Sequence, residues 1–262
     1  MTEATVHVKT EERPSGCVAI VTIDNQPRLN CLATPAIISL REAFERLSDD
    51  ASLRAIILTG AGDKAFIGGA DLRELGAADP DTIRLFITRL HQACLAIREC
   101  PVPVIARING FCLGAGLEVA ASCDMRVSSG NAVFGMPEVH MGLPSVIEAA
   151  LLPGLIGWGK TREILITGET FGADAALAMG FVQKVVPAPG LDAAVSHWLG
   201  LIGRATPKAV RNQKALMNRW ERVSVEEGVY AGIDAISEAY TTGEPQAAIK
   251  AFFDAKKQKS GR

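Results

Sequence analysis

Up to about residue 190, short apolar or β-branched runs alternate with segments of helical period, and this alternation restricts the fold more than any other feature. Cys17 to Asp24 and Leu53 to Thr59 are such runs, bounded by turn residues, which predicts strands. Between them Ile37, Leu40, Phe44 and Leu47 recur at helical spacing, with Thr34 and Pro35 where an N-cap and a first-turn proline belong. Asp79 and Pro80 open a second helix in the same way, with Ile83, Phe86, Ile87, Leu90, Cys94 and Ile97 on one face. Val102 to Ile108 and Cys123 to Ser128 read as further strands. Strands alternating with helices predict an α/β domain.

Past residue 190 the pattern changes. Val195, Trp198, Leu199 and Ile202 fit one helix, Thr206-Pro207 starts another, and Ser224-Val225-Glu226-Glu227 is a capping box before a third that carries Val229, Ile233, Ile236 and Tyr240. Thr242-Gly243-Glu244-Pro245 then breaks the chain before a lysine-rich final helix. The division expected is 1–190 as an α/β core and 191–262 as an all-helical part, packed on its own core or on a neighbouring subunit. With 262 residues, 48% of them hydrophobic, one large domain with an appendage is the natural size class.

Several function classes are disfavoured. Lys and Arg total 27 against 29 Asp and Glu, a net charge of -2, so nothing global marks the chain for nucleic acid or an anionic membrane. Met1 to Gly16 has no apolar core of a signal peptide, and the most apolar later stretch, Gly142 to Trp158, is too short to span a bilayer. Six cysteines (Cys17, Cys31, Cys94, Cys100, Cys112, Cys123) form no Cys-x-x-Cys pair, and there are only four histidines. Reduced buried thiols, a cytoplasmic setting and no metal site are the expectation.

Chemistry enters at two glutamates and two turns. Glu118 follows Gly114-Ala115-Gly116-Leu117, and Glu138 follows Gly135-Met136-Pro137. A further turn, Gly68-Gly69-Ala70-Asp71, lies upstream after a strand-like run. Small residues before a helix let a substrate carbonyl approach unpaired backbone amides, and two carboxyls beside them can move protons. Taken singly, each has a plainer reading: Glu118 as a capping glutamate, Asp71 as a helix cap, Glu138 as a surface carboxylate. In this order and spacing they point to one site that stabilises an enolate.

These residues resemble the enoyl-CoA hydratase/isomerase (crotonase) superfamily over nearly the whole chain, and its hydratases most closely. Asp24-Asn25-Gln26-Pro27-Arg28-Leu29-Asn30 resembles the family's first coenzyme A loop, and Lys64-Ala65-Phe66 through Ala70-Asp71-Leu72 the second. Asn109-Gly110-Phe111 through Glu118 with Cys123-Asp124, and Phe134-Gly135-Met136-Pro137-Glu138, resemble the segments that carry the catalytic glutamates. The resemblance implies a spiral of ββα turns with C-terminal helices that build trimers or hexamers. It implies an oxyanion hole from the amides of Ala70 and Ala115, with Glu118 as base toward water and Glu138 as proton donor to C2. Pro27, Arg28, Leu29, Ala65, Phe66, Ala70, Asp71, Leu72 and Ala115 would bind an acyl-CoA, with coenzyme A as part of the substrate and no other cofactor.

The chain departs from the family's pattern in two places. Ala115 stands in the middle of the usual glycine triple, and Gly142-Leu143-Pro144-Ser145-Val146-Ile147-Glu148 is one residue short, with Ser145 where glycine is usual. Glu148 and His140 are additional candidates for pocket groups, or structural residues. Alternatives to hydration are double-bond isomerisation, an aryl hydratase-lyase, an idle acyl-CoA binder, or an RNA binder using Lys250, Lys256, Lys257 and Lys259. The two glutamates together favour water addition. The net charge favours a solvated lysine face or contacts to coenzyme A phosphates.

Overall fold

A computed structural model of the protein describes residues 4–260. The strands are β1 (Thr5–Arg13), β2 (Gly16–Asp24), β3 (Leu53–Gly60), β4 (Ala65–Ile67), β5 (Val104–Ile108), β6 (Phe111–Leu113), β7 (Met125–Ser129), β8 (Val133–Gly135), β9 (Phe171–Gly172) and β10 (Lys184–Val186). They form a six-stranded sheet in the order β1-β2-β3-β5-β7-β10 and a four-stranded sheet in the order β4-β6-β8-β9. The β1–β2 pair is an antiparallel hairpin, and the pairs from β2 through β10 in the large sheet are parallel.

The helices are α1 (Thr34–Ser48), α2 (Leu72–Gly76), α3 (Pro80–Glu99), α4 (Ala115–Ala121), α5 (Leu152–Thr167), α6 (Ala173–Ala178), α7 (Leu191–Arg204), α8 (Pro207–Trp220), α9 (Val225–Thr241) and α10 (Glu244–Ser260). Each central turn of the chain places one strand in the large sheet, the next in the small sheet, then a helical segment. Thus β3-β4, β5-β6 and β7-β8 are successive turns of a spiral, stacked in parallel. This stacking decides where the site lies. The segments leaving β4, β6 and β8 start side by side, although they are far apart in sequence.

The large sheet is covered on both faces, which explains the almost continuous apolar run of β3. One face packs with α1 and α3 through Ile37, Leu40, Phe44, Phe86, Leu90 and Ile97. The other packs under α7 through Leu191, Ala194, Val195 and Leu199. A part-buried ion pair ties the helical part to this core: the buried Lys214 Nζ lies 2.7 Å from Asp124 Oδ2 and donates to the carbonyl of Val102 at 3.1 Å.

One sequence expectation needs revision, and one strand lies where the sequence pattern assigns no element. Ala33, not Thr34, is the N-cap of α1. The carboxylate of Glu74 reaches across from α2, accepts from Thr34 N–H at 2.8 Å and also takes the Thr34 hydroxyl. A tertiary carboxylate therefore replaces the local cap. The strand β1 lay in a segment whose polar, mixed charge gave no strand signal. It forms because its backbone pairs along its length with β2, from Thr5 opposite Asp24 to Arg13 opposite Gly16.

The capping box at Ser224 and Glu227 is present. On α9, however, Val229, Ile233, Ile236 and Tyr240 remain exposed, so this face does not pack on the chain's own core. On α10 Lys250, Lys256 and Lys257 are exposed; the side chain of Lys259 lies outside the described residues.

Candidate active site

Three turns meet at one cavity of about 500 Å³, which takes in Ala70, Leu72, Ala115, Glu118, Glu138 and Ser145. The first turn follows β4. Leu32 donates to the Gly69 carbonyl and accepts from Asp71 N–H, both at 2.8 Å, in a parallel bridge opposite Ala70. That pairing uses the groups on either side of Ala70 and turns the N–H of Ala70 itself away from Leu32. Asp71 caps α2 by accepting from Arg73 N–H at 2.9 Å, and it pairs with Arg28 at 2.8 Å. Burial opposes the charge on Asp71, but the Arg73 amide and the Arg28 guanidinium outweigh it and lower its pKa.

The second turn follows β6. Gly114 donates to the Gly135 carbonyl at 2.9 Å, which ties the end of β6 to β8. Its φ of 49° and ψ of -120° suit glycine. A Cβ there would also collide with Glu138 Oε1. Ala115 is the first residue of α4, so its N–H is one of the donors that a helix start leaves without an intrahelical partner. Glu118, one turn along, is buried. The far end of α4 is held by the buried Arg126, which donates to the carbonyls of Ala120 and Cys123 at 3.1 and 2.6 Å.

The third turn follows β8, where Pro137–Met141 forms a short 3-10 helix. It carries Glu138, whose Oε2 accepts from Ser145 Oγ at 3.0 Å. The loop closes back through Leu143 N–H, which donates to the Glu138 carbonyl at 3.1 Å. The residue that departs from the family's pattern thus holds one of the two carboxyls.

Both carboxyls are biased toward their neutral forms. Burial pushes Glu118 up to about 9, against the Ala149 N–H that donates to its Oε1 at 3.2 Å; the charges of Glu138 and Glu148 add to the rise. Burial also raises Glu138, while its own backbone amide and the Ser145 hydroxyl oppose the rise. Leu75, Ile83, Ile87, Leu90, Leu113 and Val146 supply much of the remaining wall, so the two acids face an apolar space. Of these, Ile83, Ile87 and Leu90 belong to α3.

Not every predicted binding residue lines this cavity. Ala65 and Phe66 are fully buried in β4, which leaves their backbone as what they can present to a ligand. Pro27, Arg28 and Leu29 form a short 3-10 turn and its end beside the cavity's Gly68, whose N–H donates to the Leu29 carbonyl at 2.8 Å. His140 lines the cavity, and its Nε2 lies 2.7 Å from the Thr167 carbonyl. Glu148 is buried against His91, a pairing that residues so far apart in sequence do not announce. Among the described residues no group of three or more His, Cys, Asp or Glu side chains could hold a metal ion.

The geometry defines a class: a spiral of ββα turns whose strand ends bring Ala70, Ala115, Glu118 and Glu138 to one largely apolar cavity. Residues 13–260 match the family described as Enoyl-CoA hydratase/isomerase, and the chain belongs to that family. The chain is 33% identical over 243 residues to a short-chain-enoyl-CoA hydratase of Clostridium acetobutylicum, covering 92% of this chain and 93% of that protein. It is 31% identical over 241 residues to a crotonyl-CoA hydratase of Syntrophomonas wolfei, with 92% and 93% covered. The crystal structure of an enoyl-CoA hydratase from Bacillus anthracis superposes with a TM-score of 0.89 at 27% identity, over 94% of this chain and 96% of that one.

Proposed function

We propose that this protein is an enoyl-CoA hydratase, adding water reversibly to a 2-enoyl-CoA to give a 3-hydroxyacyl-CoA. The observation that carries the reading is the meeting of two burial-raised carboxyls and two turn amides at one apolar cavity. The Ala70 and Ala115 N–H groups donate to the thioester oxygen and bind it more strongly as it becomes an enolate oxygen. Glu118 takes a proton from water as the water oxygen bonds to C3, and the double-bond electrons move to the thioester oxygen. Glu138 then protonates C2 as the enolate collapses.

Each cycle needs one proton on the pair. With the proton on Glu118 the site is set for dehydration, and with it on Glu138 for hydration. The steps need no metal or redox cofactor, since coenzyme A arrives as part of the substrate. Pro27, Arg28, Leu29 and the backbone of Ala65, Phe66, Asp71 and Leu72 form the coenzyme A side of the site, a placement supported by the Arg28–Asp71 pair and the Leu29–Gly68 contact.

Residues 191–262 are read as the oligomerisation region of a trimer or hexamer. The exposed Val229, Ile233, Ile236 and Tyr240 on α9, with Phe252 and Phe253 on α10, support an apolar face that meets another copy. The thiols are free, which supports a cytoplasmic setting. No helix among the described residues is long and apolar enough to cross a membrane.

The test is loss of the conjugated enoyl-thioester absorbance with crotonyl-CoA and with a longer enoyl-CoA. Rapid loss that disappears in Glu138→Gln supports the reading; no loss with either substrate overturns it. Double-bond isomerisation would use the same enolate, and it would appear as a shifted double bond without 3-hydroxyacyl product.

A further inference from the structure

The two acids are carried very differently. Glu118 lies on α4, whose seven residues are all buried, so packing fixes its backbone. Glu138 rides on the 3-10 turn Pro137–Met141, in which no residue is buried; Val139 is 36% and Met141 47% exposed. A short 3-10 turn has poor hydrogen-bond geometry, and this one has no core face. It does not by itself hold a carboxyl with the precision that proton transfer to carbon needs.

The chain after the turn supplies what packing does not. Gly142, at φ 74°, ends the turn in the left-handed region, where glycine is unstrained. Leu143 N–H then returns to the Glu138 carbonyl at 3.1 Å. That reversal brings Ser145 to the carboxyl, and Ser145 Oγ donates to Oε2 at 3.0 Å. The Glu138 backbone amide also acts on the carboxyl, but it moves with the turn, whereas Ser145 reaches Oε2 from across the loop. Oε1 lies against Gly114, the residue that precedes Ala115. One carboxyl oxygen therefore meets the loop hydroxyl, and the other meets the start of α4.

A neutral carboxylic acid accepts a hydrogen bond best at its carbonyl oxygen and carries its proton on the other. With Oε2 taken by the Ser145 hydroxyl, the acidic proton belongs on Oε1. On the hydratase reading the thioester oxygen sits at the Ala70 and Ala115 amides. C2 is bonded to the thioester carbon, so the oxygen beside Gly114 is the one on the side of C2.

We propose that Ser145 is a positioning residue: its hydroxyl holds Glu138 Oε2 and so presents Oε1 as the oxygen that exchanges a proton with C2. The use of that proton rests on the hydratase reading; the anchoring of Oε2 does not. In hydration the Oε1–H bond breaks and its electron pair stays on the carboxylate. The proton joins C2 through the electron pair of the enolate. In dehydration the same oxygen takes the C2 proton. Ser145 transfers no proton itself and acts through the carboxyl.

The test uses the full chain with Ser145→Ala, which removes the hydroxyl, and Ser145→Thr, which returns one. With crotonyl-CoA, Ser145→Ala should lower kcat about tenfold while KM stays within about twofold, and Ser145→Thr should recover most of that loss. Infrared difference spectra against Glu138→Gln locate the carbonyl stretch of protonated Glu138. That band should move to higher frequency in Ser145→Ala, where the carbonyl oxygen loses its donor, and return in Ser145→Thr. Native kcat in folded Ser145→Ala, a loss that Ser145→Thr leaves in place, or an unmoved band overturns the proposal. If the native protein turns over no enoyl-CoA, the hydratase reading fails, while the infrared band still decides whether Ser145 holds Oε2.

Discussion

Gly114→Ala tests the positioning of the acid pair through a single methyl group. The Cβ would fall against Glu138 Oε1 far inside ordinary contact, so the carboxyl has to withdraw by roughly 1 Å. A misplacement of that size costs on the order of 10²-fold in rate, or about 2.7 kcal/mol of transition-state stabilisation. The backbone adds a separate penalty. At φ 49° and ψ -120° an L-residue is strained, at about 1–3 kcal/mol of folding stability. Denaturant unfolding measures the second effect, and enoyl-thioester hydration by the folded variant measures the first. Gly180→Ala is the control: Gly180 also has positive φ, 86°, but a Cβ there meets only the Leu155 carbonyl at ordinary distance. It should lose stability and keep its kcat. Native kcat in folded Gly114→Ala would refute the reasoning, as would an equal loss of kcat in both variants.

Glu118→Gln and Glu138→Gln should each lose most hydration activity while binding a coenzyme A ester nearly as tightly as the native protein, measured by calorimetry; near-native turnover in either would remove it from the mechanism. Ala70→Pro deletes one amide donor and should cost on the order of 10²–10³ in kcat with folding retained, as checked by circular dichroism. The burial of Glu118 also links to stability. Its pKa is raised from 4.5 to about 9, so the folded state binds the extra proton. The folded state therefore pays no ionisation penalty below about pH 4.5, and the stability tied to that proton is lost as pH rises toward 9. Glu118→Gln should accordingly gain stability relative to the native protein more at pH 8 than at pH 5, by urea unfolding; an equal difference at both would contradict the burial argument.

Much of this site was legible because its signals are local. Gly-rich turns, a capping aspartate at Asp71 and a glutamate in the first turn after Gly114 are each short-range features, and the family's order of motifs joins them. Helix α3 and the box at Ser224 were likewise readable from caps and period. What escaped depends on contacts distant in sequence. Thr34 looks like a cap until Glu74 arrives from another helix to supply the carboxylate. The strand β1 has half-buried alternation that only its partner β2 makes meaningful. Glu148 sits in an apolar run that says nothing of His91, 57 positions away. The apolar face of α9 was visible as a helical stripe, but its exposure follows from the tertiary arrangement, which period alone does not determine.

The central claim is water addition at C3 with proton delivery to C2, and an isotope experiment addresses both bonds at once. The native protein is incubated with crotonyl-CoA in heavy-oxygen water, and in parallel in heavy water, and the products are read by mass spectrometry and proton NMR. The expected product is a 3-hydroxyacyl-CoA with one heavy oxygen at C3 in the first incubation and one deuterium at C2 in the second. Deuterium exchange into the acyl chain with no heavy oxygen at C3 would contradict it, since enolate chemistry would then proceed without hydration.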